Sequence, residues 1–221
     1  MRARDSTFGS NSLIKFLRAN GSRRVCVSSL SHPSWLMRVR FPPPAPFHCG
    51  VVRNENDFYP TPHSIIQALL ENLDWEPGQT WEPCAGDGRL VEALLNRGHT
   101  VVASDIAEGY DFFEYRAAPV STLITNPPFK KIRPFIDHAF RIGVERMALV
   151  CAERLWACNK GHIQFDRHRP SRFINLTWRE DYLNRGGSPD RALAISIWDR
   201  PHSETCQFEV WGKPGVEADD V

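Results

Sequence analysis

The chain has 221 residues, of which 42% are hydrophobic and 24% are charged, and its formal net charge is +1. A chain of this length and apolar content can bury the core of one globular domain, which excludes an entirely disordered protein. No apolar run reaches the length of a membrane span or a secretory signal, so we expect no membrane partner. The six cysteines form no CxxC pair and match no zinc template, which favours reduced thiols in the cytoplasm and predicts no metal site.

The first 53 residues differ in composition from the remainder. They contain nine Lys or Arg but one acid, Asp5, and they include a proline-rich run at 41–47. We expect residues 1–53 to be a leader outside the domain, either disordered or a misassigned start. The Arg/Ser-rich composition also fits a mitochondrial transit peptide. Codons for Val39–Phe41 can match the T-loop of a transfer RNA gene. Our hypothesis is that this leader is a transfer RNA gene read as protein and that the true start lies near residue 51. Mobile elements commonly integrate beside such genes, so a phage or prophage origin would fit.

A strand, a glycine loop and a helix are predicted over residues 80–96. A short apolar lead runs into Glu82–Gly88 (EPCAGDG), after which apolar residues recur at helical spacing. Gly86 and Gly88 permit positive φ and let the backbone approach a ligand, and the helix start offers N–H groups to an anionic or hydroxylated group. Two glycines also suit an ordinary turn, so the loop alone leaves a cofactor site and a plain turn open.

A second buried strand is predicted at Val101–Asp105. An acid at the tip of the second strand of a βαβ unit is placed to accept both ribose hydroxyls of an adenosine cofactor. The alternative is that Asp105 is solvated and caps the next turn. A cofactor site and a capping role therefore both remain open for this residue.

A third strand is predicted at residues 121–125, and it ends in Asn126-Pro127-Pro128-Phe129 (NPPF). Two prolines fix a rigid loop in which the Asn126 side-chain oxygen and the Pro127 carbonyl can converge as acceptors for an NH₂ group. Phe129 offers a face on which a flat ring can stack. The alternative is a turn between this strand and the two lysines that follow.

In this order, EPCAGDG and NPPF resemble the motifs of class I S-adenosylmethionine-dependent methyltransferases. The resemblance is to the amino-methyltransferase branch, which includes adenine-specific DNA methylases of phage and prophage, and it covers about residues 57–214. The segment Asp57–Pro62 (DFYPTP) resembles a motif that this branch carries upstream of the glycine loop. The resemblance implies S-adenosylmethionine as cofactor and an exocyclic amino group as methyl acceptor. Adenine in DNA is the first expectation, and an RNA base or a protein glutamine amide is the alternative.

The resemblance and the residue patterns together give three sets of candidate site residues. The catalytic set is Asn126, Pro127 and Phe129. The cofactor-binding set is Phe58, Tyr59, Thr61, Glu82, Cys84, Gly86, Gly88, Asp105 and Asp111. The position of Asp111 follows from the resemblance, and a local cap is its alternative.

Basic residues interleaved with aromatic residues follow the NPPF loop. Residues 54–221 carry 18 Lys or Arg and 25 Asp or Glu, an acidic balance that does not by itself suggest a nucleic-acid partner. The local mixture nevertheless suits a phosphate backbone and unstacked bases, and a solvated basic face is the alternative. The substrate-binding candidates are Lys130, Lys131, Arg154, Arg167 and Arg169. We expect nucleic acid, first of all DNA, as the partner. A domain of this size leaves little room for a target-recognition domain, so we expect sequence specificity either to be weak or to be supplied by a separate partner.

Alternating strands and helices up to residue 150 predict an α/β fold, namely a Rossmann-like methyltransferase fold. We expect a mostly parallel sheet with helices on both faces. Residues 192–198 and 207–211 are expected to pair as the C-terminal antiparallel hairpin. Residues 154–171 lack a clean period and are expected to form a mobile or substrate-facing segment. The domain is predicted to span 54–214, followed by a disordered tail at 215–221.

Two function classes other than methyl transfer remain open. A nucleotide-binding oxidoreductase would explain the glycine loop and Asp105, but it would leave the NPPF loop without a role. A catalytically silent binding module would keep the fold without the chemistry.

Overall fold

The computed structural model describes residues 60–179 and 192–215, together with the backbone of a hairpin near the start of the chain. The hairpin pairs β1 (Lys15–Ala19) with β2 (Ser22–Cys26) in antiparallel register. Contacts divide the chain into residues 1–46 and 47–221. The leader at 1–53 stays a prediction. The predicted cofactor residues Phe58 and Tyr59, the predicted start near residue 51 and residues 216–221 lie outside the described residues.

The second unit alternates strands with helices, close to the predicted positions. Its helices are α1 (His63–Asn72), α2 (Arg89–Asn96), α3 (Ile132–Arg141) and α4 (Asn159–Arg167). Its strands are β3 (Gln79–Glu82), β4 (Thr100–Ala103), β5 (Thr122–Thr125), β6 (Arg146–Ala152), β7 (Arg172–Arg179), β8 (Ala192–Trp198) and β9 (Gln207–Trp211). Short 3-10 helices lie at Ile106–Glu108, Phe112–Glu114, Phe129–Lys131 and Glu153–Leu155.

The strands of this unit form one sheet in the order β4-β3-β5-β6-β8-β7-β9. Strands β4, β3, β5 and β6 are parallel, whereas β8 is antiparallel to both β6 and β7. The predicted mostly parallel sheet with a C-terminal antiparallel hairpin is therefore confirmed.

The members of that hairpin differ from the expectation, which paired 192–198 with 207–211. The hairpin consists of β7 and β8, and β9 joins the edge of the sheet parallel to β7. The burial of the strands explains this arrangement. Six of the seven residues of β8 are buried, as expected for a strand between two others, whereas every residue of β9 is exposed or half-buried, as an edge position allows.

Two hydrophobic cores lie on opposite faces of the sheet. Ile124 packs with the buried residues of α1 and α2, while the preceding residue, Leu123, packs with those of α3. Successive residues of a strand point to opposite faces, so β5 contributes to both cores. Helices on both faces of the sheet are thus confirmed.

The segment 154–171, which shows no clean period in the sequence, contains a regular helix, α4. Gly161 lies in the first turn of this helix and does not break it. A Cβ at this position would lie 2.7 Å from the Leu155 carbonyl oxygen and 2.8 Å from that of Trp156. Glycine is therefore present because α4 crosses the preceding backbone closely, which is a tertiary reason that the local pattern does not contain.

Within residues 60–179 and 192–215, no helix has the length and apolar character needed to cross a membrane. In the same ranges, no group of three or more His, Cys, Asp or Glu is arranged to hold a metal ion.

Candidate functional site

A cavity of about 170 Å³ lies where the parallel strands β3, β4 and β5 end. Its walls come from the segments that follow these strands, and ligands of open α/β sheets bind at this edge. Ten of the predicted site residues line it. They are Thr61, Glu82, Cys84, Gly86, Asp105, Asp111, Asn126, Pro127, Phe129 and Lys131. The predicted cofactor loop and the predicted catalytic loop therefore share one cavity.

Some predicted residues do not line this cavity. Gly88 is buried as the N-cap of α2 with φ of 85°, a left-handed conformation that favours glycine. Arg167 lies 3.7 Å from Asp137, and Arg169 lies 3.6 Å from Asp166, so both guanidinium groups have acidic neighbours. Lys130 and Arg154 are exposed outside the cavity wall.

Asp105 connects two of the loops that form the cavity. The Gly86 amide donates a hydrogen bond to Asp105 Oδ2 at 2.9 Å, and the Ala107 amide donates to Oδ1 at 2.8 Å. Both functions considered for Asp105 are therefore compatible, since it caps the following 3-10 helix and also lines the cavity. A carboxylate oxygen accepts more than one hydrogen bond, so Asp105 retains capacity for ligand hydroxyls. The Gly86 amide is therefore bound to this carboxylate.

Glu82 is a buried carboxyl group between the glycine loop and β5. Its Oε1 accepts hydrogen bonds from the Cys84 amide at 2.9 Å and from the Thr125 hydroxyl. Burial raises the pKa of Glu82 to about 8, and the nearby charge of Asp105 adds to the increase. Glu82 is therefore mainly protonated at neutral pH and adds little negative charge to the cavity.

The thiol of Cys84 lies in the same environment. Burial raises its pKa well above the ordinary value, and the neighbouring Glu82 contributes further. The thiol therefore stays protonated, which makes Cys84 a wall of the cavity and a poor nucleophile.

The NPPF loop begins directly after the last residue of β5. Asn126 is half-buried and Pro127 is buried, and both line the cavity. Phe129 begins a 3-10 helix and packs against the core on the α1 side of the sheet. The loop thus places an amide side chain and an aromatic ring on the same cavity as Asp105.

An aromatic wall completes the cavity, and the sequence patterns did not identify most of it. Phe112 stacks on Phe135 with ring centroids 3.8 Å apart, and Lys131 Nζ lies 5.7 Å from the centroid of the Phe113 ring. Asp111 accepts a hydrogen bond from the Phe113 amide at 2.9 Å, so it is both a cap and a cavity residue.

Two large apolar side chains that line the cavity were also missed. Ile106 is 50% exposed and Tyr110 is 55% exposed. The available signal was their occurrence in the otherwise polar segment that follows Asp105. Apolar side chains that remain exposed beside a cavity are suited to cover a flat ligand.

The sequence matches no family model. No curated protein sequence matches it either. Solved structures do match, and they include a protein from Listeria monocytogenes assigned to the class I S-adenosylmethionine-dependent methyltransferases, with 12% identity and a TM-score of 0.47. That alignment covers 68% of this chain and 65% of the Listeria protein.

Two further structures have RNA methyltransferase names. The 23S rRNA methyltransferase ErmE aligns at 12% identity and a TM-score of 0.48, over 67% of this chain and 72% of ErmE. A Pyrococcus horikoshii protein assigned as an RNA methyltransferase aligns at 19% identity and a TM-score of 0.49, over 64% and 86% of the two chains. At these identities the likeness is one of fold. All three TM-scores lie below 0.5. The predicted Rossmann-like arrangement, a mostly parallel sheet with helices on both faces, is confirmed by the strand order and the two cores of the chain itself.

Proposed function

We propose that this chain is an S-adenosylmethionine-dependent methyltransferase that acts on an exocyclic amino group of a nucleobase, first of all adenine in DNA. One observation carries the proposal. The glycine loop with Asp105 and the NPPF loop with Asn126 line the same cavity, so a cofactor and a flat amine can meet there.

The cofactor half of the cavity contains groups suited to an adenosine derivative. Asp105 would accept the ribose hydroxyls, because its carboxylate is held at the tip of β4 by the Gly86 and Ala107 amides. Asp111 would accept from an amino group of the adenine ring, and the exposed side chains of Ile106 and Tyr110 would cover the ring.

The remaining cofactor residues would enclose the methionine end of the ligand. Thr61, Glu82, Cys84 and Gly86 line the cavity. Phe58 and Tyr59 would close it. Because Glu82 is mainly protonated at neutral pH, it would contact the ligand through a neutral carboxyl group.

The reaction that fits these residues is a direct displacement. The cofactor supplies a methyl group bonded to a sulfonium, and the amine nitrogen attacks that carbon while the carbon–sulfur bond breaks and its electron pair stays on sulfur. The Asn126 side-chain oxygen and the Pro127 carbonyl would accept hydrogen bonds from the two N–H groups of the amine. These bonds favour a nitrogen lone pair directed at the methyl carbon and stabilise the positive charge that develops on nitrogen. The nitrogen then loses one proton to solvent. Phe129 would stack on the ring.

The charge of the chain around the cavity supports a nucleic-acid substrate. Residues 60–128 contain ten Asp or Glu and three Lys or Arg, whereas residues 129–172 contain four Asp or Glu and ten Lys or Arg. The second segment includes the proposed substrate-binding residues Lys130, Lys131, Arg154, Arg167 and Arg169. A phosphate backbone is attracted to such a segment, and a base in a duplex would be flipped into the cavity.

Other acceptors remain alternatives within the same mechanism. The two acceptors, the Asn126 side-chain oxygen and the Pro127 carbonyl, would recognise only an NH₂ group beside a flat system, so an RNA base or a protein glutamine amide would also fit. A separate partner would supply sequence specificity. An oxidoreductase and a silent binding module are weaker proposals, because neither gives Asn126 a role.

Transfer of a labelled methyl group tests the proposal. The full chain is offered DNA, RNA and protein from a host that lacks the gene, and label in DNA as methyladenine is the expected product. Asn126→Ala should abolish transfer while cofactor affinity stays nearly unchanged, and Asn96→Ala, at the exposed end of α2, is the matched control. Label in RNA or protein would replace DNA as the proposed substrate and leave the proposed mechanism unchanged. A loss of cofactor affinity in Asn126→Ala equal to that in Asp105→Ala would contradict the assigned roles.

A further inference from the structure

We propose that the 3-10 helix Glu153–Leu155 and α4 form a platform that holds the phosphate backbone of the nucleic-acid substrate beside the cavity, with Arg133 as its positioning residue. This inference rests on the proposed function, because it assigns the surface that this substrate occupies. We call residues 153–167 the platform.

Arg133 fastens the platform to the start of α3. Its guanidinium donates to the Leu155 carbonyl and lies 3.2 Å from Cys158 Sγ. In return, Gln164 Nε2 donates to the Arg133 carbonyl at 2.8 Å, and Gln164 Oε1 lies 3.4 Å from the guanidinium. Lys131, two residues before Arg133, lines the cavity, so these bonds hold the platform next to the cavity wall.

The packing of α4 against its own approach segment makes the platform rigid. Gly161 is buried where α4 crosses the Leu155 and Trp156 carbonyls, and a methyl group there would meet both oxygens. Cys158 is the N-cap residue of α4, and its Sγ accepts a hydrogen bond from the Gly161 amide at 3.4 Å. The orientation of the exposed face of α4 is therefore determined by its buried face.

The exposed face of α4 combines cations with an apolar side chain. Lys160, Ile163 and Arg167 recur at the i, i+3, i+7 spacing of one helix face, and all three are exposed. Ile163 is 58% exposed. Cations flanking an apolar side chain suit phosphates on either side of a sugar or an unstacked base.

Among the described residues, two of the platform cations have no acid within ion-pair distance. Within the residues that the structure describes, Arg154 and Lys160 form no ion pair, whereas Arg167 is 3.7 Å from Asp137. The platform acids are Glu153, which lies 3.3 Å from Asn175 Nδ2, and Asp166, which is shared by His162 and Arg169. Arg154 and Lys160 are therefore the cations best placed to neutralise phosphates.

Binding of fluorescein-labelled oligonucleotides to the full chain tests the platform. The probes are single-stranded DNA, single-stranded RNA and duplex DNA of about 20 units, a length that exceeds a typical single-strand site. The variant is Arg154→Glu/Lys160→Glu. The matched control is Arg116→Glu/Arg200→Glu, which reverses two exposed arginines that, among the described residues, form no ion pair. Anisotropy is measured over a salt series, and cofactor affinity is measured by calorimetry.

We expect the platform variant to bind nucleic acid about tenfold more weakly. The slope of log binding constant against log salt concentration should become less steep by about 1.4, the value for two lost phosphate contacts on a single strand. The control variant should bind the oligonucleotides like the wild type, and both variants should keep the cofactor affinity of the wild type. Arg133→Met should weaken oligonucleotide binding without affecting cofactor affinity, and Arg133→Lys should restore little of it, because lysine lacks the guanidinium fork.

Three results separate the possible failures. Methylation of nucleic acid by the wild type, with unchanged oligonucleotide binding by Arg154→Glu/Lys160→Glu, would overturn the platform and leave the proposed function intact. Platform-dependent binding without any methyl transfer would keep the platform and overturn the proposed activity. Transfer to protein alone, without oligonucleotide binding, would overturn both the nucleic-acid substrate and the platform. The probe that binds most tightly identifies DNA or RNA as the source of the phosphates.

Discussion

Thr125 donates its side-chain hydroxyl to the buried carboxyl of Glu82, and this bond joins the ends of the neighbouring strands β3 and β5. The same Glu82 oxygen also accepts a hydrogen bond from the Cys84 amide of the glycine loop. Asn126 follows Thr125 directly. One buried acid therefore holds the proposed cofactor loop and the start of the proposed catalytic loop at a fixed separation.

The first prediction concerns the pH dependence of stability. The pKa of Glu82 is raised from 4.5 to about 8, so folded Glu82 keeps its proton between these values while unfolded Glu82 has lost it. Folding then takes up a proton, and the free energy of unfolding should fall as pH rises from about 4.5 to about 8. Glu82→Gln, a neutral analogue, should remove this slope and raise the free energy of unfolding at pH 7 by up to about 3 kcal/mol.

Urea unfolding of both proteins between about pH 5 and pH 8 measures the effect. Glu92→Gln, which alters an exposed acid on α2, is the control and should follow the wild type. A Glu82→Gln variant that is less stable than the wild type at every pH would show that the buried group is ionised and that its charge is required.

The second prediction concerns the carboxylate of Asp105. Asp105→Asn leaves one acceptor oxygen for two amide donors, those of Gly86 and Ala107, and turns an NH₂ group toward one of them. We expect cofactor affinity to fall about tenfold or more, which corresponds to the loss of one charge-assisted hydrogen bond. Calorimetric titration with S-adenosylmethionine measures it. Glu114→Gln, an exposed acid in a nearby 3-10 helix, should bind like the wild type, and equal affinities in all three proteins would exclude Asp105 from the cofactor site.

The third prediction concerns the contact at Gly161. Gly161→Ala would raise helix propensity in an isolated helix, but here its Cβ would approach the Leu155 and Trp156 carbonyls to below 3 Å. We expect a loss of stability of about 1 to 3 kcal/mol and faster amide exchange in α4. Gly143→Ala is a useful comparison, because a Cβ there would meet nothing within 4 Å and its cost comes from the positive φ of 95° alone. An unchanged or higher stability of Gly161→Ala would contradict the close crossing.

The cavity could be anticipated from the sequence because its parts follow strands. The glycine loop, Asp105 and the NPPF loop each come directly after a predicted buried strand, and parallel strands bring their carboxyl ends to one edge. The protonation of Glu82 could not be anticipated in this way. It depends on burial beneath Thr125, which lies 43 positions away in the chain.

The C-terminal half was harder to predict because its order in space departs from its order in the chain. Strand β8 lies between β6 and β7, and β9 pairs with β7, so β6 does not neighbour β7 and β8 does not neighbour β9 in the sheet. The low helix propensity of glycine predicts an interruption of the helix at Gly161. In the observed helix, glycine instead allows the backbone to pass close to the Trp156 carbonyl. Both differences arise from tertiary packing, which outweighs local preference.

The last prediction concerns the ion pair that fastens the edge strand β9 to β7. Arg172 Nε and Nη2 donate to the two Glu209 carboxylate oxygens at 2.5 and 2.8 Å, and only about a fifth of each side chain is exposed. The hydrogen bonds from Arg172 lower the pKa of Glu209, so the pair stabilises the fold above the ordinary pKa of a glutamate and loses this contribution as pH falls through the lowered value. Glu209→Gln should cost about 1 kcal/mol at pH 7, after allowance for solvent screening, and should increase amide exchange in β9. Glu204→Gln, an exposed acid just before β9, is the control. The two variants should converge in stability at a pH below the lowered pKa, and a difference that persists there would mean that Glu209 acts through packing and not through its charge.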